Sequence, residues 1–297
     1  MIPQMIPGLN TEALEEALAK GLGGSVCLTS AVALGASSRE TPWRIDVEID
    51  DVSMTYLLRY GSGCSKNEVV ALRAMAEHPI PTPRIIHWDE AGDVLGVPLF
   101  VSAWIEGEPL LPAMKAKEDW AIDLYIDTAC ALQAIQSDDL PEGAAEQLNV
   151  GESARDVVEA AYARFTVRDD LIEQSHQRLI EQQPELPENA FSNGDLWPEN
   201  LLVRNRELVG VIDWQHAGFT DPLFEFLLPF FLVPELRGLG IEERFCARKG
   251  IDPAVLHWYH GVEFFDSLAW VLKIGKPYEI HTEESLRADL AAWLEAS

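Results

Sequence analysis

The sequence predicts an α+β fold in two parts, in which a strand-rich N-terminal part precedes a larger and mainly helical C-terminal part. The pattern of apolar residues is mostly strand-like from Val26 to Ile105 and turns helical from about Leu111 onward. The junction falls in the segment Glu106–Pro109, where Gly and Pro favour a connection between elements. We therefore expect an N-terminal domain over residues 1–105 and a helical C-terminal domain over residues 106–297.

The N-terminal part is predicted to begin with a helix over Thr11–Lys20, because Asn10 or Thr11 can cap its start and Gly21 can end it. An antiparallel sheet with one inserted helix follows. Apolar and polar residues alternate along Trp43–Asp50, as expected for a half-buried strand. The other predicted elements are strands over Met54–Tyr60, Ile85–Trp88 and Leu99–Ile105, and a helix over Asn67–Glu77.

The C-terminal part is predicted to consist mainly of helices, because its apolar residues recur at helical spacing. A short hairpin interrupts them, with strands over Leu201–Val203 and Leu208–Ile212 and Asn205-Arg206 as the turn. The predicted helices are Glu118–Gln136, Ala154–Phe165, Asp170–Gln183, Trp258–Ile274 and Thr282–Ala296.

The composition is ordinary for a globular protein except for its charge. The 297 residues include 22 basic and 49 acidic ones, which gives a formal net charge of −27. A surface this acidic repels phosphate backbones and anionic lipids, so we expect neither a nucleic-acid partner nor a membrane-surface role. The four cysteines are widely spaced, and no basic-then-apolar leader segment is read at the N-terminus, so we expect a cytoplasmic protein without a zinc cluster.

One segment carries residues suited to chemistry. Asp195 and Asn200 stand five apart in a loop broken by glycine and proline, and the predicted hairpin brings Asp213 back beside Asn200. Asn200 and Asp213 offer oxygen ligands of the kind that Mg²⁺ prefers. Asp195 is then free to orient a substrate hydroxyl and accept its proton, which is the layout of phosphoryl transfer.

This segment resembles the catalytic loop and metal site of the aminoglycoside phosphotransferase family, the small-molecule relatives of protein kinases. That family usually shows His-Gly-Asp, then Asn, then Ile-Asp-Trp, and an Asp-Pro-x-x-Asp element further on. The matching residues here are Asn193-Gly194-Asp195, Asn200, Ile212-Asp213-Trp214, Asp221-Pro222 and Glu225. Asn193 replaces the usual His, and Asn can also both donate and accept a hydrogen bond.

The resemblance implies a bilobal protein-kinase-like fold, with a small nucleotide-binding lobe of antiparallel strands and one key helix, and a larger helical lobe. It implies an enzyme that moves the γ-phosphate of ATP or GTP to a hydroxyl of a small molecule, with Mg²⁺ as cofactor. In this assignment Asp195 is the catalytic base, and Asn200 and Asp213 hold the metal. The alternative is that Asp195 and Asn200 only form turns and that Asp213 is an incidental residue at the end of a strand.

The resemblance extends upstream to the nucleotide. Ser37 and Ser38 fall in a segment that resembles the loop over the phosphates, although an ordinary hairpin turn fits equally well. Arg59 matches the cation that contacts the phosphates, and Glu68 its partner on the following helix; the alternative is a surface ion pair. The carbonyl of Ala103 and the N–H of Ile105 match the backbone groups that bind the adenine.

The acceptor is not identified by the sequence. A cationic aminoglycoside-like molecule or a metabolite fits the negative charge, and the fold alone does not decide between them. Glu263 and Asp266 interrupt an apolar helix and could meet a cationic acceptor, but we favour a solvated helix face. An alternative function is that of a catalytically weak, pseudokinase-like regulatory protein that binds nucleotide. The oligomeric state is not readable from the sequence.

Overall fold

The computed structural model describes residues 6, 9–34, 42–93 and 95–296. These residues form two compact units, each assembled from separate stretches of the chain. The first unit comprises the described parts of Met1–Pro109, together with Ser137–Asn149 and Asn200–Ala217. The second comprises Leu110–Gln136, Val150–Glu199 and the described part of Gly218–Ser297. The predicted boundary between residues 105 and 106 stays a prediction.

The strands of the described chain are, in order, β1 (Val26–Ala33), β2 (Trp43–Ile49), β3 (Val52–Tyr60), β4 (Ile85–Asp89), β5 (Leu99–Ala103), β6 (Glu108–Pro109), β7 (Asn149–Val150), β8 (Ala190–Ser192), β9 (Leu201–Arg204), β10 (Glu207–Val211) and β11 (Gly218–Thr220). The helices are α1 (Thr11–Leu22), α2 (Lys66–Ala74), α3 (Leu111–Lys115), α4 (Asp119–Leu132), α5 (Ala154–Arg164), α6 (Asp170–Glu181), α7 (Pro222–Leu232), α8 (Ile241–Lys249), α9 (Val255–Ile274) and α10 (Glu283–Glu295). This mixture confirms the predicted α+β class.

The first unit is built on a five-stranded antiparallel sheet in the order β1-β2-β3-β5-β4. Strand β2 alternates as predicted, and Trp43, Ile45 and Val47 are buried on its inner face. Burying an apolar side chain of this size contributes about 1.5–3 kcal/mol to folding. Asp50 and Asp51 form the tight turn to β3 with φ angles of 48° and 69°, which Asp tolerates better than most residues. Helix α2 is the predicted inserted helix, with Ser65 capping its start.

The predicted hairpin is present in the first unit. Strands β9 and β10 pair antiparallel around Asn205 and Arg206, whose φ angles of 53° and 67° fit a two-residue turn. The amide N–H of Ile212 donates to the carbonyl of Asn200 at 2.9 Å. Ile212, the residue directly after β10, is therefore held beside Asn200, the residue directly before β9.

The second unit is mainly helical, and the sequence pattern did not predict three of its helices, α3, α7 and α8. Helix α7 begins at Pro222 behind a cap from Asp221, and its apolar residues face all directions. A helix that is buried on every side lacks the polar stripe that marks amphipathic helices, so the periodicity gave no signal. Helices α3 and α8 are short, with five and nine residues. No helix in the described part of the chain combines the length and hydropathy needed to span a bilayer.

Candidate active site

The loop after β8 carries Asp195 in the second unit, and its backbone conformation is fixed by short-range hydrogen bonds. Gly194 adopts a φ of 76°, which allows the chain to turn sharply before Asp195. The carbonyl of Asp195 accepts from the amide of Trp197 at 2.7 Å and from Nδ2 of buried Asn193 at 2.9 Å. The Asn193 side chain thus holds the backbone of the residue predicted to act as the base.

Glu225 on helix α7 ties this loop to its surroundings. Its Oε1 accepts from the Ser192 hydroxyl at 2.6 Å and from the Leu196 amide at 2.9 Å, and its Oε2 accepts from the Thr220 hydroxyl at 3.0 Å. Burial raises the pKa of Glu225, and these three hydrogen bonds oppose the rise. The carboxyl group therefore positions the residues on either side of Asp195.

Two further contacts hold the same region, and the sequence pattern identified neither. The buried hydroxyl of Tyr125 donates to the carbonyl of Leu196 at 2.9 Å. Asp221 caps helix α7 and accepts from the hydroxyl of Tyr259 at 2.8 Å. Tyr125 and Tyr259 fall within predicted helices and carry no sequence signal of their own, so only the folded chain reveals their polar contacts.

In the first unit, three predicted site residues form a chain of ion pairs. Nε of Arg59 lies 3.5 Å from Oε2 of Glu68, and its Nη2 lies 3.6 Å from Oδ1 of Asp213. The side chains of Arg59 and Glu68 are only 14% and 4% exposed, which rules out the alternative of a surface ion pair. Burial raises the pKa of Glu68 to about 7; Arg59 lowers this pKa and Asp213 raises it.

The segment that carries Asp213 is anchored to helix α2. Asn67, one residue before Glu68, donates through Nδ2 to the carbonyls of Gln215 and Ala217 at 3.2 and 2.8 Å. Asp213 itself has a φ of 59°, a conformation that costs free energy outside glycine and often occurs at functional sites. The same helix therefore positions both ends of the ion-pair chain.

A cavity of ≈ 370 Å³ lies in the first unit against these residues. Its wall is mostly apolar, with the ion-pair chain as its charged part, and the volume lies in the usual range for small-molecule sites. Of the predicted site residues, the cavity wall includes Arg59, Glu68, Ala103, Ile105 and Asp213. Ser37 and Ser38 lie outside the described residues.

The connection after β5 packs closely against strand β10. A Cβ added at Gly210 would lie 2.6 Å from Cδ1 of Ile105, too close for any side chain to fit without a shift. The amide of Ala103 donates to the carbonyl of Arg84 at 2.8 Å. The backbone predicted to bind a base is thus held by β10 on one side and by the segment before β4 on the other.

The donor set next to Asp213 suits a hard cation. Within residues 6, 9–34, 42–93 and 95–296, no cluster of three or more His, Cys, Asp or Glu side chains is arranged to hold a metal. A site for Mg²⁺ needs less than this, because Mg²⁺ keeps waters and takes phosphate oxygens as further ligands. One amide oxygen from Asn200 and one carboxylate from Asp213, held together by the hairpin, fit that requirement.

A second cavity, of ≈ 260 Å³, lies in the second unit, and Glu263 forms part of its wall. The prediction that Glu263 belongs to a solvated helix face is wrong, because the residue is only 3% exposed. Its Oε1 has no hydrogen-bond partner in the described chain. Burial alone raises the pKa of this carboxyl to about 8. The surrounding wall combines aromatic rings with further polar groups: Phe230, Phe231, Phe264, Glu242, His260, Arg237 and Asp289.

The other acid on the same helix behaves differently. Asp266 pairs with Arg164 of helix α5, and both side chains are partly exposed. The Arg164 guanidinium also lies over the ring of Trp270, 4.8 Å from its centroid. Asp266 is therefore a partner in a local ion pair, whereas Glu263 faces a cavity.

Comparison with known proteins gives both a family and a fold. The profile of the Phosphotransferase enzyme family matches residues 60–259, about two thirds of the chain. No curated protein matches the chain in sequence.

Three solved structures illustrate the likeness in fold. A Ralstonia eutropha JMP134 protein, provisionally assigned as an aminoglycoside phosphotransferase, has a TM-score of 0.73 at 15% identity and covers 97% of this chain and 98% of its own. A thermostable mutant of the aminoglycoside phosphotransferase APH(4)-Ia, in a ternary complex with AMP-PNP and hygromycin B, gives 0.66 at 20% identity, covering 95% and 98%. Choline kinase LicA from Streptococcus pneumoniae gives 0.59 at 14%, covering 96% and 99%. The predicted kinase-like fold is confirmed.

Proposed function

Because this chain belongs to the Phosphotransferase enzyme family, we propose that it transfers the γ-phosphoryl group of ATP to a hydroxyl group of a small molecule. The observation that carries the proposal is the buried ion-pair chain of Glu68, Arg59 and Asp213 on the wall of an otherwise apolar cavity. The apolar part of the cavity wall suits the base of a nucleotide, and the charged part of the wall suits its phosphates. Structures with this fold have been determined with AMP-PNP, ADP and AMP.

Asp195 acts as the base in this proposal. The acceptor oxygen attacks the γ-phosphorus, the bond from that phosphorus to the bridging oxygen of ADP breaks, and the hydroxyl proton passes to the carboxylate of Asp195. Its loop is held by Asn193, Glu225 and Tyr125, so the carboxylate needs little rearrangement before reaction.

The nucleotide is bound by residues of the first unit. The Arg59 guanidinium contacts the phosphates, and Glu68 limits its movement. The carbonyl of Ala103 and the N–H of Ile105 bind the base of the nucleotide. That base is adenine if the nucleotide is ATP, which we favour, and guanine if it is GTP. Ser37 and Ser38 are proposed to cover the phosphates.

Mg²⁺ is the proposed cofactor, held by the side-chain oxygens of Asn200 and Asp213. When bound, the metal neutralises charge on the phosphate oxygens. Arg59 has a second task here, because its Nη2 lies 3.6 Å from Asp213 and so restricts the rotation of that carboxylate.

We propose that the acceptor is a small cationic alcohol bound at the cavity of the second unit. The support is Glu263, a buried carboxyl whose Oε1 has no hydrogen-bond partner in the described chain and whose ionised form a bound cation would stabilise. The aromatic rings on the same cavity wall also attract cations. Burial is the largest cause that raises the pKa of Tyr278, and the charges of Glu263, Glu279 and Asp195 raise it further. The use of ATP also fits the cytoplasmic location expected from the sequence.

Nucleotide turnover with a panel of amino alcohols, aminoglycosides and neutral sugars tests the proposal. We expect phosphorylation of at least one cationic alcohol, and a loss of about 10²–10⁴ in rate for Asp195→Ala, the usual contribution of a general base. Glu188→Ala, on an exposed loop, is the control. Unchanged turnover in Asp195→Ala or in Asp213→Ala would contradict the assignment. A chain that binds ATP with Mg²⁺ but phosphorylates nothing would instead fit the regulatory alternative, which no observation made so far favours.

A further inference from the structure

The cavity of the second unit has a cation on its wall as well as acids, and this cation has no role so far. Arg237 lines the cavity, and its Nε donates to the carbonyl of Phe230 at 2.9 Å while its Nη2 donates to the carbonyl of Phe231. Both carbonyls belong to the last turn of helix α7, where the helix itself supplies no backbone donors for them. The two bonds hold the guanidinium in place before any ligand binds.

Capping helix α7 does not use all of this guanidinium. Arginine has five N–H donors, and the two capping bonds occupy two of them. Within the part of the chain that the structure describes, Nη1 of Arg237 makes no hydrogen bond and no carboxylate forms an ion pair with the residue. A fixed guanidinium with free donors and an uncompensated charge is suited to bind an anion at the cavity.

Glu263 faces the same cavity from helix α9, and Arg237 does not neutralise it. The two side chains form no ion pair among residues 6, 9–34, 42–93 and 95–296, and Oε1 of Glu263 has no hydrogen-bond partner there. A neighbouring guanidinium would lower the pKa of the carboxyl, whereas burial is the only cause that acts on the pKa of Glu263. The two groups therefore occupy separate places on the wall.

The other charged groups of the wall leave Arg237 and Glu263 available to a ligand. Nε2 of His260 lies 2.8 Å from Oε1 of Glu242, so these two side chains are partners of each other. Asp289 of helix α10 is the remaining acid of the wall, and it adds to the attraction for an ammonium group. The volume of ≈ 260 Å³ is below the range of about 300–1,000 Å³ for drug-sized ligands, so the ligand is small.

We propose that this cavity binds a small zwitterionic alcohol, with an ammonium group at Glu263 and a carboxylate at Nη1 of Arg237. The inference rests on the proposed function and narrows it, because it adds an anionic group to the cationic alcohol proposed as the acceptor. Hydrogen bonds between a guanidinium and a carboxylate are charge-assisted and stronger than neutral ones. A ligand with both charges satisfies both groups of the wall, whereas a ligand with one charge leaves Arg237 or Glu263 unmatched.

The test compares zwitterions with their own singly charged fragments by isothermal titration calorimetry. 4-Amino-3-hydroxybutanoate carries both charges, 1-amino-2-propanol lacks the carboxylate, and 3-hydroxybutanoate lacks the ammonium group. L-Serine, ethanolamine and 3-hydroxypropanoate repeat the comparison with both charges on one carbon. For at least one series we expect the wild type to bind the zwitterion about ten- to a hundredfold more tightly than either fragment, the range for one hydrogen bond to a charged group.

Substitutions of Arg237 then separate ligand binding from helix capping. Arg237→Gln should weaken the zwitterion to the level of its amine fragment without weakening that fragment, and Arg237→Lys, which keeps the charge, should retain part of the preference. Arg204→Gln removes a positive charge from an exposed position of strand β9 and is the control. A role in capping alone would change Tm, or the binding of all ligands alike, and would leave the preference for the zwitterion unchanged.

The outcomes distinguish this inference from the proposed function. A wild type that binds neither zwitterion more tightly than its amine fragment would overturn the inference without any variant, even if ATP-dependent phosphorylation of a cationic alcohol upheld the proposed function. A preference that survives Arg237→Gln would overturn the role of Arg237. Tight binding of a zwitterion without transfer of phosphate from ATP to any alcohol would refute the proposed function, while the ligand class of the cavity would stand.

Discussion

Replacing Glu263 by Gln should make the protein more stable at alkaline pH. Gln has nearly the same shape as Glu but carries no charge, so it removes the burial cost of the ionised carboxyl. The pKa of Glu263 is raised from 4.5 to about 8, which means that the folded state binds this proton more tightly than the unfolded state. The stability that the proton supplies is complete below pH 4.5 and is lost as the pH rises through 8.

The size of the effect follows from linkage. Between pH 6 and pH 8 the carboxyl is mostly protonated in the folded state and ionised in the unfolded state. The free energy of unfolding therefore falls by about 1.4 kcal/mol per pH unit, or roughly 2.5 kcal/mol over this interval. For a large domain such a change lowers Tm by roughly 5–10 °C.

The measurement is Tm by circular dichroism from pH 5.5 to pH 9 for the wild type, Glu263→Gln and Glu188→Gln. The last variant makes the same chemical change on an exposed loop and controls for net charge. We expect the gap between Glu263→Gln and the wild type to widen steadily in favour of the variant between pH 6 and pH 8. A gap that stays constant across this range would show that Glu263 is ionised in the folded state, and the reasoning from its burial would fail.

Three other substitutions test the positioning of the site. Glu68→Gln should raise KM for ATP by about tenfold, because Arg59 loses the buried carboxylate that lies 3.5 Å from its Nε and is then held less firmly; an unchanged KM in steady-state kinetics would contradict this role. Gly210→Ala should weaken ATP binding about three- to tenfold in calorimetry, because the new Cβ displaces the side chain of Ile105, which lines the cavity, and it should leave Tm within a few degrees. Tyr125→Phe should lower kcat and leave the Kd for ATP unchanged, because the lost hydrogen bond, worth about 0.5–1.5 kcal/mol, lies in the loop of Asp195. A changed Kd with constant kcat would refute that last assignment.

Local signals made much of the fold predictable. The alternation along β2 and the two-residue turns at Asp50-Asp51 and Asn205-Arg206 are properties of short segments, and the structure has each of them where the sequence predicted. Helix α7 could not be predicted in this way. It is buried all round, so its apolar residues show no period, and the sequence pattern suggested only an apolar run.

The candidate site also has a part that local sequence patterns predict and a part that they do not. The spacing of Asp195, Asn200 and Asp213 is a local pattern, and resemblance extended it to Arg59 and Glu68. The environment of Glu263 depends on which elements pack around helix α9, and the sequence suggested the opposite of its burial. The pairing of Tyr125 with Leu196 joins residues 71 positions apart, and no spacing rule covers such a distance.

The charges around Arg59 explain why the proposed function needs a metal. ATP is an anion, and the chain carries a net charge of −27, so the site must supply positive potential locally. Arg59 lies between two acids, Asp213 at 3.6 Å and Glu68 at 3.5 Å. With Glu68 protonated the three groups sum to zero, and with Glu68 ionised they sum to one negative charge. Since the pKa of Glu68 is about 7, neither state near neutral pH attracts phosphates over any distance. In the proposed function Arg59 therefore orients phosphates at contact range, and a divalent cation held by Asp213 would have to provide the attraction.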